Sequence, residues 1–362
     1  MVMKVLILAN NDIGLYQFRK DIIEALLKNN EVSIALPYGE RVEDLKEMGC
    51  HFIDTPLERR GMNPFKDISL YHLYKKILRE SNPDLVITYT IKPNIYGGFA
   101  CKNMGIPYAV NITGLGTAFE KGGMLKNLVV QLYKRALKKA KIVFFENVGN
   151  CNVFTELGII PKEKTKILNG AGVDTNKFSL VDYPKDSEKL RFLFVGRVMA
   201  EKGIDELLTA TERLVKDGYA CELSVVGWCE EAYETRLQEC QKAGWLKFHG
   251  FQKDVRPFIA DCHCFVLPSW HEGMANTNLE SASSGRPVIT TNIHGCLESV
   301  EDGVTGLLVE KQNAESLYNA MKAMCDKSSE ERVEMGRAGR KRMLEIFDKK
   351  MVVKETLKGL GV

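Results

Sequence analysis

Short apolar runs alternate with helical periodicities along the whole chain. VLILA (5–9) reads as a buried strand, and YQFRKDIIEALLKN (16–29) spaces Phe18, Ile22 and Leu26 about one helical turn apart. VSIAL, a helix over RVEDLKEMG, HFIDT, a helix over YHLYKKILRES, DLVITY, PYAVNIT, a helix over 123–140 and KIVFFEN continue the alternation. Strands rich in Val and Ile, joined through helices, predict a parallel sheet covered on both faces. At SLVDYPKDSEK (179–189) the pattern turns polar, proline-bearing and aperiodic, which marks 181–189 as a linker. It restarts with LRFLFVG, a helix over 203–217, CELSVVG, a helix near 231–243, LKFHG, CFVLPS, a helix over 277–284, PVITT and GLLV. The expected organisation is a doubly wound α/β domain over 1–180, the linker, a second such domain over 190–345, and a closing helix within 346–362. Two such domains in tandem face a central cleft between their strand ends, where ligands collect in these sheets.

A length of 362 residues agrees with two domains. No stretch reaches the roughly 18 uninterrupted apolar residues of a membrane span. MVMKVLILAN turns polar at once with NND, so it reads as a first strand and not a signal peptide. The ten cysteines form no framework. Cys262, His263 and Cys264 alternate within a strand-like run, so their side chains cannot converge on one metal. Buried free thiols and a reducing cytosol follow. The net charge of +3 is too small to argue nucleic-acid binding, but it is unevenly placed. Residues 1–185 hold 26 basic and 19 acidic side chains, net +7; residues 186–362 hold 24 and 28, net −4. An anionic partner is expected at the first half.

The chemistry concentrates at two places. NNDIG follows the first strand without a G-x-G-x-x-G, and no G-x-x-x-x-G-K-[ST] occurs, which argues against a dehydrogenase or P-loop NTPase. In FLFVGRVMAEKGIDELL a strand ends at Gly196, Arg197 and Lys202 follow, and Gly203 starts a helix. Two cations at a strand's C-terminal end suit a diphosphate, one as a planar fork and one as a point charge. In HEGMANTNLE, Glu272 lies in a loop and Glu280 a turn inside a helix, with Asn276, Thr277 and Asn278 where loop becomes helix. Helix-terminal N–H groups favour an anion there. A ligand with central phosphates and hydroxyls at both ends fits this layout: a nucleotide sugar.

GRVMAEKG, followed some 70 residues later by LPSWHEGMANTNLESASSGRPVI, resembles the donor domain of the retaining glycosyltransferases of family 4, which have the GT-B fold of two Rossmann-like domains. The usual L-E-A is shifted here to L-E-S-A. The resemblance implies that Arg197 and Lys202, beside Gly196, bind the donor diphosphate and stabilise the leaving nucleotide. It implies that Glu272 contacts the transferred sugar, Glu280 the ribose, and the amides of Asn276–Leu279 a phosphate. HGFQKDV (249–255), with Phe251, is similar to the segment lining the base pocket, and Gly14 to a glycine permitting close approach of phosphate or acceptor. It further implies a same-face mechanism in which a donor phosphate oxygen takes the acceptor proton, with no cofactor and no metal. It also implies that the closing helix packs back on the first domain. Many members carry a first-domain histidine near the reacting sugar; NITGLGTAF (111–119) has Thr113 and the Gly114–Gly116 turn there instead.

Within family 4, LYQFR with Arg19, NPF at 63–65 and the T-G-L-G loop look similar to bacterial N-acetylgalactosaminyltransferases that act on undecaprenyl-diphosphate-linked sugars. That makes Arg19, Thr113 and Gly114 the expected acceptor-binding residues. The helix within 121–142 carries Lys121, Lys126, Lys134, Arg135, Lys138, Lys139 and Lys141 without an acid, beside an apolar stripe. With Arg59, Arg60, Lys66, Lys75, Lys76 and Arg79 it predicts peripheral binding to an anionic surface, the inner face of the plasma membrane. The expected function is transfer of an N-acetylhexosamine or hexose from a UDP-sugar to a polyprenyl-diphosphate-linked saccharide, in capsule, O-antigen or glycoprotein glycan assembly. The alternatives are a hydrolysing UDP-N-acetylglucosamine 2-epimerase and a non-catalytic sugar-nucleotide-binding subunit.

Overall fold

The apolar runs fold into two all-parallel sheets, one in each half of the chain. The computed structural model describes residues 2–57, 63–116, 119, 122–185 and 189–362. Contacts divide the chain into two units, Met1–Ala171 with Lys350–Val362, and Gly172–Lys349.

In the first unit, β1 (Lys4–Leu8), β2 (Glu31–Leu36), β3 (His51–Asp54), β4 (Leu85–Tyr89), β5 (Tyr108–Ile112), β6 (Ile142–Phe145) and β7 (Thr165–Ile167) lie in the order β3-β2-β1-β4-β5-β6-β7. The order reverses between β1 and β4, the switch point of a doubly wound sheet. Successive β1 side chains point to opposite faces. Val5 and Ile7 pack with Ile22, Ile23 and Leu26 on one side, Leu6 and Leu8 with Tyr74, Tyr108 and Tyr133 on the other. Helices α1 (Asp12–Leu27), α2 (Val42–Glu47), α3 (Pro64–Ser81), α4 (Gly98–Met104), α5 (Gly123–Ala136) and α6 (Val148–Glu156) connect the strands. Two of them start earlier than their apolar spacing predicts, because caps set their ends. Asn11 Oδ1 accepts the Gly14 N–H at 2.6 Å, and Asn63 Oδ1 accepts the Phe65 N–H at 3.1 Å with Pro64 at the first helical position.

In the second unit, β8 (Leu190–Val195), β9 (Cys221–Val226), β10 (Leu246–Phe248), β11 (Cys264–Leu267), β12 (Val288–Thr291) and β13 (Gly306–Val309) lie in the order β10-β9-β8-β11-β12-β13. The switch point falls between β8 and β11. Helices α7 (Ile204–Lys216), α8 (Glu234–Lys242), α9 (Arg256–Asp261), α10 (Asn276–Ser283), α11 (Ala314–Asp326) and α12 (Ser329–Arg342) accompany it. Hydrophobic spacing does not announce α12. It packs through small residues and arginines: a Cβ at Gly336 would land on Gly285 O, and Arg340 donates to the carbonyls of Thr175, Phe178 and Ser283.

The division at Ala171/Gly172 and Lys349/Lys350 differs from borders at 180 and 345. Phe178 is buried in the second unit's core, and Val173 N–H donates to Phe347 O at 2.8 Å. Nor is the described part of 181–189 a free linker. The fully buried Arg286 donates to Val181 O and Asp182 O, and Tyr183 O–H donates to His263 O at 2.8 Å. The closing helix α13 (Lys349–Leu360) is fastened within the first unit: Lys141 Nζ donates to Leu360 O, and Lys166 Nζ to the Glu355 carboxylate, both at 2.6 Å.

Candidate active site

The second sheet's switch point brings two loops together, one after β8 and one after β11. Gly203 has φ +73°, and a Cβ there would fall onto Pro268 O, so the loops touch where only glycine fits. Across that contact Lys202 Nζ pairs with the Glu272 carboxylate, and Ser269 O–H donates to the same Oε1 at 2.8 Å. Both charged side chains are mostly shielded, at 17% and 13% exposure, which limits screening by solvent. Sequence positions 70 residues apart thus form one ion pair.

Gly196 directly follows β8, its N–H donating to Val226 O at 3.0 Å. Arg197 follows, 38% exposed, and its Nη1 donates to Glu230 Oε2 at 2.7 Å. Beside it, the loops after β9 and β10 present Trp228 and Phe251, 49% and 62% exposed, with ring centroids 5.7 Å apart edge to face. An exposed aromatic pair at strand ends offers a flat apolar surface to a planar group.

The run from Asn276 to Glu280 is less open to a ligand than its composition predicts. No side chain caps α10 at Ala275. The N–H groups of Asn276, Asn278 and Leu279 already donate to Met274 O, Ala275 O and Ala275 O. Asn278 is fully buried, its amide donating to Thr290 Oγ1 and Ser299 Oγ at 3.1 Å, and Leu279 lies in the core. Both are structural here. Thr277 is half-buried in the first turn, and Asn276 Oδ1 is buried without a hydrogen-bond partner. Glu280 is half-buried; burial pushes its carboxyl up to about 7 against the pull of Lys177 and Lys349.

The first-unit candidates sit at its own strand ends. Gly14 is in the first turn of α1 and its N–H is held by Asn11, so it offers no free amide to a phosphate. Arg19 is 7% exposed and pairs with Glu146 beneath the Tyr89 ring, 5.1 Å from its centroid. Burial would lower its pKa, but the Glu146 carboxylate more than offsets this and the net shift is upward. It is a buried ion pair and not a surface cation awaiting phosphate. Thr113 and Gly114, both half-buried, follow β5, and a Cβ at Gly114 would meet nothing within 4 Å. Thr117, Lys121, Arg59 and Arg60 lie outside the described residues.

His263 belongs to the core: it is 2% exposed, its Nδ1 accepts the Arg191 N–H at 3.0 Å, and burial first and Arg191 next lower its pKa to about 4. Residues that composition did not single out are Glu230, Trp228, Ser269 and Glu146. The available signal for the first two was G-W-C-E-E directly after a strand, an aromatic and an acid where the switch-point loops gather.

Two families match the chain, one per sheet: residues 4–147 match Glycosyl transferase 4-like, and residues 189–327 match Glycosyl transferases group 1. A Campylobacter jejuni protein, N,N'-diacetylbacillosaminyl-diphospho-undecaprenol alpha-1,3-N-acetylgalactosaminyltransferase, is 26% identical over 332 residues, 87% of each chain. The capsular polysaccharide biosynthesis glycosyltransferase CapM of Staphylococcus aureus is 27% identical over 363 residues, 91% of this chain and 89% of its own. Anabaena HepE, solved with UDP-glucose, shares the fold with TM-score 0.81 at 18% identity over 99% of both chains.

Proposed function

Because this chain belongs to the group 1, family 4-like glycosyltransferases, we propose that it moves a sugar from a UDP-sugar to a polyprenyl-diphosphate-linked saccharide with retention of configuration. The observation that carries the donor half is the Lys202–Glu272 pair beside Arg197 at the second switch point. In this reading Arg197 and Lys202 meet the diphosphate as the sugar–phosphate bond breaks and charge develops there. Glu272 then exchanges Lys202 for the sugar's hydroxyls. Glu280 holds the ribose, and the Trp228–Phe251 surface lies under the base. The acceptor proton passes to a donor phosphate oxygen on the same face, so no metal and no separate base is required.

The acceptor half rests on the names of the relatives, one acting on a diphospho-undecaprenol-linked sugar and one in capsule biosynthesis. An N-acetylhexosamine or hexose is the transferred group, in capsule, O-antigen or glycoprotein glycan assembly. Among the described residues no helix is long and apolar enough to cross a membrane. Attachment is peripheral in this reading, on the cytoplasmic face. Phe65 and Ile68 at the start of α3, and Met124, Leu125 and Leu128 at the start of α5, are exposed beside Lys66 and Lys126. The last calls for an anionic leaflet.

The test is UDP release across a panel of UDP-sugars, with and without short polyprenyl-diphosphate-sugar acceptors. Acceptor-dependent release is expected, with Glu272→Gln and Arg197→Ala each lowering turnover about a hundredfold or more. Release of UDP together with an epimerised free sugar, without acceptor, would sink the transferase reading.

A further inference from the structure

Beyond their ends, β8 and β9 stay zipped together. Val198 N–H donates to Trp228 O at 2.9 Å and Glu230 N–H to Val198 O at 3.0 Å, an isolated parallel bridge of Val198 with Cys229. Two residues further on, Ala200 N–H donates to Glu231 Oε2 at 2.8 Å. With Gly196 N–H on Val226 O, the backbone on both sides of Arg197 is pinned. What the backbone leaves undetermined is the long arginine side chain, which has many rotamers of similar energy. One carboxylate selects among them, since Glu230 Oε2 accepts from Nη1 at 2.7 Å. Glu230 is itself better shielded than Arg197, at 19% against 38% exposure, and its own N–H is part of the zipper. A guanidinium has five N–H donors, and Arg197 gives one bond to the described protein. The others remain for a ligand.

We propose that Glu230 is a positioning residue of the transferase: it aims the Arg197 guanidinium at the switch point, so that the arginine's remaining N–H groups meet the donor diphosphate without a rotamer search. The proposal rests on the reading that Arg197 binds that diphosphate. A carboxylate that merely neutralised Arg197 would compete with the donor, and its removal would tighten nucleotide binding. A carboxylate that orients it does the opposite.

A double-mutant cycle separates these cases. UDP affinity by calorimetry and kcat and KM for the donor are measured for wild type, Glu230→Gln, Arg197→Ala and the double variant. Glu230→Asp tests whether a shorter carboxylate restores part of the effect. Positioning predicts that Glu230→Gln lowers kcat/KM for the donor about tenfold, and that it has no further effect in the Arg197→Ala background. An equal loss in both backgrounds would mean a structural role and overturn the proposal. Unchanged or tighter UDP binding in Glu230→Gln would also overturn it. If Arg197→Ala alone leaves turnover and UDP affinity intact, it is the donor-site reading that fails.

Discussion

A carboxyl poised near neutrality makes Glu280 the residue whose role pH can report. Its ordinary value of 4.5 is raised to about 7 by burial, with Lys177 and Lys349 opposing. A ribose hydroxyl donates best to the ionised form, so UDP affinity should weaken as pH falls through 7. The expected change is about tenfold between about pH 8 and pH 6, and absent in Glu280→Gln. Calorimetry across that range checks it, and a parallel slope in wild type and variant would remove Glu280 from the site. Stability runs the other way. Between 4.5 and 7 the folded state keeps a proton that the unfolded chain has lost, so this group's contribution to stability falls as pH rises through that window. Glu280→Gln should therefore melt higher than wild type at about pH 8, and the difference should close near pH 4.5.

At the scale of elements, the two site loops depend on how tightly β8 and β11 deliver them. Gly203 and Gly218 both have positive φ, +73° and +89°, but only Gly203 has an obstacle, Pro268 O, where a Cβ would stand. Gly218→Ala should cost about 1 kcal/mol, the ordinary penalty of a left-handed alanine. Gly203→Ala should cost more, about 2–4 kcal/mol, and should raise the donor KM by moving Lys202 off Glu272. Urea unfolding with donor kinetics separates the two; equal destabilisation would mean the loops adjust freely. The same contrast explains what could be read without coordinates. Strands such as VLILA and FLFVG were legible because burial on both faces demands continuous apolar runs. The pairing of Lys202 with Glu272 was half legible: both were marked, while their contact depends on two strands becoming neighbours. Helix starts at Asn11 and Asn63 were hidden because caps, not apolar spacing, set them. Helix α12 was hidden because its packing uses Gly336, Gly339, Arg332 and Arg340, residues whose usual place is solvent or turn.

For the whole molecule, the sequence marks two α/β units but misplaces their border, because polar residues such as Thr175 and Tyr183 are fastened by side-chain hydrogen bonds that no hydrophobic pattern records. The charge asymmetry reads through more directly. The first half's net +7 accompanies exposed Phe65 at 86% and Met124 at 90%, each opening a helix whose later turns are buried in the first unit's core. A soluble surface gains nothing from such side chains, whereas a bilayer interface does: full burial of a large apolar side chain is worth about 1.5–3 kcal/mol, and each lysine near an anionic leaflet adds about 1 kcal/mol. Phe65→Asp with Met124→Asp should therefore cut co-sedimentation with phosphatidylglycerol vesicles by about tenfold or more. Turnover on a short, water-soluble acceptor should be unchanged, since such an acceptor is delivered without a membrane. Raised salt should weaken the wild type's binding, because the lysine share is screened while the apolar share is not. Equal binding of wild type and variant, or equal binding to phosphatidylcholine alone, would show that these helix ends do not meet the membrane. The exposed apolar ends of α3 and α5 would then need an occupant of another kind.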